Sequence, residues 1–313
     1  GVDGFRIDTA RHVNPEFWQA FAPAMLETAQ ERGVPNFHIF GEVFSETGDV
    51  APLARTTRVD RLPSVLDFAF RAALIDTLTK GVGTDRLTTL FNGDALYEGG
   101  EATAMQLPTF VSNHDIGRFS HYSRANLPGA SDAEVLQRAV LAHAMMFTLR
   151  GVPVIYSGDE QGFAGDGSDQ DAREDMFPSR VASYNDNVLL GTKATTAVSN
   201  FDRSHPLYAA IAELSALRKE QAALRRGKQI IRNYGEKPGL FAVSRIDPQT
   251  EREVLIVFNT STGSLTANVE VDARTRAFRS LKGACAPRPT APGSYKVTLE
   301  PLSYVVCAAQ DET

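Results

Sequence analysis

Short apolar runs alternate with longer stretches whose apolar positions recur every three or four residues, up to about residue 218. The short runs fit strands and the longer ones amphipathic helices. Val2 to Ile7 predicts a strand that carries Asp8 at its C-terminal end. Asn14-Pro15-Glu16 then reads as a cap and first turn, with a helix over Phe17 to Arg32 closed by Gly33. Further strands are predicted at Asn36 to Val43, Ser64 to Phe68, Leu107 to Ser112 and Val152 to Ser157. Helices follow over Ala69 to Leu78, Ala133 to Arg150 and Ser204 to Arg225, the last with a break near Glu220. Between Gly158 and Asp175 the chain is rich in glycine and aspartate and predicts a solvated loop. Phe17 and Trp18, at packing spacing on the first helix, read as core.

This alternation is that of parallel β/α units, of which there are five, each strand ending in polar or charged residues. Beyond residue 226 helical periodicity is lost. Leu240 to Arg245, Glu253 to Phe258, Thr266 to Val271 and Ser294 to Leu299 read as short strands with turns between them. The predicted fold is α/β over residues 1–225, followed by a small antiparallel β-sandwich over residues 226–313. A full (β/α)8 barrel has eight units and keeps its active site on the loops after its strands.

Composition narrows the function classes. The 313 residues are 42% hydrophobic and 22% charged, ordinary for a globular protein, and no apolar run is long enough to span a membrane. A net charge of −6 argues against nucleic acid as a partner. The basic cluster Arg225, Arg226, Lys228 and Arg232 reads as a solvated helix end and loop. Cys285 and Cys307 read as buried thiols or as a disulfide between neighbouring strands, and the compartment stays open.

Candidate chemistry sits at the strand ends. Arg6 and Asp8, two apart on a strand, point to one face. The adjacent guanidinium favours an ionised carboxylate, suited to act as a nucleophile. Glu42 follows in Phe40-Gly41-Glu42-Val43-Phe44, where aromatic neighbours could desolvate it into a proton donor. Asp115 follows His114, which can donate hydrogen bonds to hydroxyls. Retaining glycoside hydrolysis needs such a set: one carboxylate nucleophile, one carboxylic acid, and further groups that hold the sugar.

These strings resemble the α-amylase superfamily, glycoside hydrolase family 13. Gly4-Phe5-Arg6-Ile7-Asp8 with Arg11-His12 is similar to the family's fourth-strand motif, and Gly41-Glu42-Val43 to its fifth. Phe110-Val111-Ser112-Asn113-His114-Asp115 resembles the seventh, and the segment Gly151 to Glu160 the eighth. The resemblance implies a partial TIM barrel made of strands four to eight, with the first three strands absent from this sequence. It implies Asp8 as nucleophile, Glu42 as acid/base and Asp115 as transition-state stabiliser. Arg6, Arg11, His12 and His114 become substrate-binding residues, although many members carry lysine where this chain has Arg11. A structural Ca2+ near His12 is implied for the full-length protein, with no metal ligand set assigned within these residues.

The implied activity is cleavage of α-glucosidic bonds in starch-like oligo- or polysaccharides. Alternatives are an α-glucan transglycosylase, a trehalose- or sucrose-type isomerase, or a non-catalytic sugar-binding relative. An open five-strand sheet has two unpaired edges, so a second chain completing the barrel is an expected partner, and the isolated fragment is expected to be inactive.

Overall fold

A computed structural model describes residues 1–310. Strands β1 (Gly4–Ile7), β2 (His38–Gly41) and β3 (Ser64–Val65) form one parallel sheet in chain order. Helix α1 (Pro15–Glu31) joins the first pair and α2 (Ala51–Arg58) the second. Proline at the first position of α1 suits a helix start, and Gly33 beyond its end adopts φ 78°. Helices α3 (Phe68–Thr79), α4 (Asp85–Asn92) and α5 (Glu101–Ala104) precede β4 (Pro108–Phe110). Helices α6 (Phe119–Asn126) and α7 (Asp132–Thr148) lead to β5 (Val152–Val154), which pairs parallel with β4. The main chain beyond β3 meets β4 where the Asp67 amide donates to Pro108 O at 2.9 Å. Phe44, Phe68 and Phe110 stack edge to face at 5.5 and 5.1 Å along this succession of strands.

Helix α8 (Pro206–Glu220) stops at Gln221, and α9 (Ala222–Arg226) restarts at once, as the expected break near Glu220 requires. The remaining chain is antiparallel: β6 (Lys228–Asn233), β7 (Leu240–Ile246), β8 (Glu253–Asn259), β9 (Leu265–Glu270), β10 (Ala277–Lys282), β11 (Ser294–Leu299) and β12 (Ser303–Gln310). Five of these strands form a sheet ordered β10-β12-β8-β7-β6, and β9 pairs with β11. Leu255, Val257, Val269, Tyr295, Val297 and Cys307, drawn from both sheets, share one buried core. Cys285 and Cys307 form a disulfide. Lys228 and Arg232 lie on strand β6, not in the loop expected of the basic cluster.

By packing, the chain divides into two compact units. One holds residues 1–73, 89–110 and 151–154; the other holds 74–88, 111–150 and Ile155 onward. Arginines close the end of α7 in the second unit. Arg218 Nη1 donates to Phe147 O at 2.7 Å and Arg245 Nη1, from β7, to Thr148 O at 2.9 Å. Arg245 Nη2 also donates to Gly227 O at 3.0 Å. Helix-end carbonyls have no partner within the helix, so these donors complete them. Among the described residues, no helix is long and apolar enough to cross a membrane.

Candidate active site

The site in the first unit is built by register. Ile7 on β1 is paired with Gly41 on β2, so Asp8 and Glu42 leave the sheet at neighbouring positions. The ladder continues past both strands: the Glu42 amide donates to Ile7 O at 2.7 Å and the Ala10 amide to Glu42 O at 3.0 Å. A side chain at position 41 would strike Ala10 Cβ at 2.9 Å and Leu62 Cδ1 at 2.8 Å, so glycine there allows the turn after β1 to close over β2. Trp18, buried on α1, donates from Nε1 to Ala10 O at 2.9 Å and fixes that turn from behind. Phe17 differs from expectation. It is exposed, stacked on Phe21 at 5.3 Å, because its position on α1 faces outward.

One guanidinium serves two carboxylates. Arg6 Nη1 donates to Asp8 Oδ2 at 2.6 Å, and its Nη2 lies 3.1 Å from Glu42 Oε1. Asp8 is 61% exposed at its side chain and Glu42 only 8%, so the first is open to a ligand and the second is held inside. The Thr9 amide donates to Glu42 Oε2 at 3.3 Å, which leaves both oxygens of Glu42 engaged. Arg11 donates to Phe44 O at 3.0 Å and lines a cleft of about 530 Å³ with Val43, Phe44 and Glu46. His12 is exposed on the same turn, and its amide donates to Thr9 O at 2.9 Å.

His114 and Asp115 lie in the second unit, just beyond β4. Asn113 Oδ1 accepts from the amides of Asp115 and Ile116 at 2.9 and 2.8 Å, which sets the turn. Gly117 completes it at φ 82°. His114 Nε2 lies 3.3 Å from Asp115 Oδ2, and Arg173 Nη2 donates to Asp115 Oδ1 at 3.1 Å. Sequence reasoning did not name Arg173, which lies 58 positions away in the chain.

The segment after β5 is also more built than the expected solvated loop. Arg118, fully buried, donates to Asp159 Oδ1, Glu174 Oε2 and Ser157 O, each at 3.0 Å. Its guanidinium lies 4.3 Å from the Tyr156 ring centroid, and Tyr156 Oη donates to Ala172 O at 2.9 Å. Asp159 and Glu174 are therefore internal ion-pair partners. Burial pushes the Glu174 carboxyl up against the opposing pull of Arg118, and burial likewise raises the Tyr156 phenol. Among the described residues, no group of three or more histidine, cysteine, aspartate or glutamate side chains is arranged to hold a metal.

The arrangement can do acid–base and nucleophilic chemistry: an exposed carboxylate and a buried one share a cation at the mouth of two parallel strands. The family described as "Alpha amylase, catalytic domain" matches residues 1–227. An alpha-amylase of Streptomyces lividans is 40% identical over 98% of this chain and 33% of its own length. A cyclomaltodextrin glucanotransferase of Niallia circulans is 34% identical over 59% of this chain and 23% of its own. This chain thus spans a third or less of these relatives. Among solved structures, an Anoxybacillus alpha-amylase aligns with all of this chain and 60% of its own at TM-score 0.77 and 21% identity. The three-domain cyclomaltodextrin glucanotransferase CldA aligns with 99% of this chain and 57% of its own at TM-score 0.76 and 24% identity, which shows the same fold. A match that covers most of the chain, joined to a close relative along nearly all of it, establishes that this chain belongs to the alpha-amylase family.

Proposed function

We propose that this protein cleaves α-glucosidic bonds in starch-like oligo- or polysaccharides by a retaining double displacement. The supporting observation is the shared guanidinium of Arg6, 2.6 Å from Asp8 and 3.1 Å from Glu42. Two carboxylates on one guanidinium lie close together, as a retaining mechanism needs. Asp8 attacks the anomeric carbon while Glu42 protonates the departing oxygen. A glycosyl ester forms on Asp8, and Glu42 then takes a proton from the water that hydrolyses it. Asp115 and His114 hold sugar hydroxyls and favour the cation-like transition state. Arg6 orients Asp8, and Arg11 and His12 face the acceptor side beside the cleft. In this reading residues 1–225 supply strands four to eight of a (β/α)8 barrel and residues 226–313 a β-sandwich.

Transfer to a sugar instead of water is the second reading, carried by the likeness to cyclomaltodextrin glucanotransferases. Hydrolysis ranks first because the amylase relative matches at higher identity over far more of the chain. The test uses the full-length protein with Asp8→Asn, Glu42→Gln and Asp115→Asn made singly. Reducing ends are followed from soluble starch, maltotriose, trehalose and sucrose, and cyclic products are sought alongside. Each variant should lose about 100- to 10,000-fold in turnover. Wild-type rates in Asp8→Asn or Glu42→Gln would refute the mechanism.

A further inference from the structure

We infer that Arg173 is a positioning residue for Asp115, and that the segment carrying it is a prefabricated brace. The inference rests on the proposed role of Asp115. The Asp115 carboxylate is gripped on both sides, with His114 Nε2 3.3 Å from Oδ2 and Arg173 Nη2 3.1 Å from Oδ1. The same Arg173 nitrogen donates to Asp169 Oδ1 at 2.7 Å, so its own reach and direction are fixed. Asp169 in turn donates its amide to Asp115 O at 2.8 Å. One short turn, residues 169–173, therefore holds both the main chain and the side chain of Asp115.

The turn cannot drift, because its flanks are bolted to the interior. Ala172, before Arg173, accepts the Tyr156 hydroxyl at 2.9 Å, and Glu174, after it, is buried against Arg118 at 3.0 Å. Arg118 lies three residues beyond Asp115, so the anchor and the braced carboxylate belong to the same stretch of chain. A surface ion pair such as Arg173 with Asp115, at 45% and 31% side-chain exposure, adds little to stability. Its worth is geometric. A carboxylate that strengthens its hold on sugar hydroxyls in the transition state must not swing, and a misplacement of about 1 Å can cost about 100-fold.

The test compares Arg173→Ala, Arg173→Lys, Asp115→Asn and the Arg173→Ala/Asp115→Asn double variant in the full-length protein. Activity is read on soluble starch and on a nitrophenyl α-maltoside, whose good leaving group keeps slow variants measurable. Arg173→Ala should lower kcat about 10- to 100-fold with KM little changed and with an unchanged melting temperature. Lysine should restore most of the loss. In the Asp115→Asn background Arg173→Ala should cost nothing more, because a residue that acts through Asp115 has nothing left to position. A loss confined to KM, or a full additional loss in the double variant, would mean that Arg173 binds sugar on its own and would overturn the inference. So would wild-type turnover in Arg173→Ala. Wild-type turnover in Asp115→Asn would instead fail the proposed function itself.

Discussion

The disulfide offers the clearest quantitative test of how the antiparallel sheets are held. Cys285 and Cys307 are separated by 22 positions, and Cys307 lies fully buried in the shared core. Breaking the link releases a loop of that length in the unfolded chain. The chain-entropy relation then gives about 11 cal/mol/K, or about 3 kcal/mol at room temperature. Two controls separate this from packing. Reduction of the wild type keeps both sulfur atoms, whereas the Cys285→Ala/Cys307→Ala variant removes them and adds a small cavity at Cys307. Urea unfolding, followed by the near-ultraviolet signal of buried Tyr295 beside Cys307, should show a lower midpoint in both cases. With a urea slope of about 1–3 kcal/mol/M the shift is roughly 1–3 M. The double variant should fall slightly further than the reduced protein. A shift under about 0.3 M in the reduced wild type would refute the loop-entropy reasoning, since it corresponds to less than about 1 kcal/mol even at the steepest slope.

Gly117→Ala forces an L-residue to φ 82° and sets its Cβ 2.4 Å from Gly167 O. Strain and displacement together should cost about 2 kcal/mol or more and loosen the turn around Asp115, which thermal melting and turnover would both register. Trp18→Phe removes the 2.9 Å donor to Ala10 O and leaves that carbonyl only the longer bond from the Val13 amide at 3.4 Å, a loss of about 1 kcal/mol that equilibrium unfolding would measure. A pH dependence is expected at α8, where His205 Nδ1 accepts from the Leu207 amide and its Nε2–H donates to Leu190 O at 3.0 Å. Burial lowers the His205 pKa below 6.5, so the unfolded chain takes up the proton first. Stability from this cap is therefore full above pH 6.5 and declines as pH falls below it. His205→Asn keeps an acceptor at the cap and should flatten that decline in melting temperature; an unchanged slope would exclude His205 as its source.

Some features were legible because they depend on local spacing. Arg6 and Asp8 are two apart on a strand, and the ion pair follows from that period. The break at Gln221 and the strand Ser294–Leu299 fall where composition placed them. Strands β6, β10 and β12 escaped notice for physical reasons. Strand β12 is paired on both sides, by β10 and β8, and buried along most of its length, so Tyr-Val-Val-Cys-Ala-Ala shows no polar alternation. Strand β6 opens on lysine and carries an arginine, and it read as a charged loop. In the site, Arg118 finds Asp159 and Glu174 at separations of 41 and 56 residues, and Arg173 finds Asp115 at 58. Such pairs are set by folding and leave no periodic trace, which is why a glycine- and aspartate-rich segment looked solvated when two of its carboxylates are internal.

The arginines at the end of α7 decide how this protein can be cut and recombined. Arg245 reaches from the antiparallel sheet to the last carbonyl of a helix almost a hundred positions earlier, at Thr148. A chain stopped after Arg226 would keep Arg218 on Phe147 O but would lose the Arg245 donor to the last carbonyl, at Thr148. The change of architecture near residue 226 is therefore a poor place for a truncation or a module swap. An imported sheet would fit only if its own strand carried a guanidinium to the same spot, which makes position 245 a compatibility key for grafting.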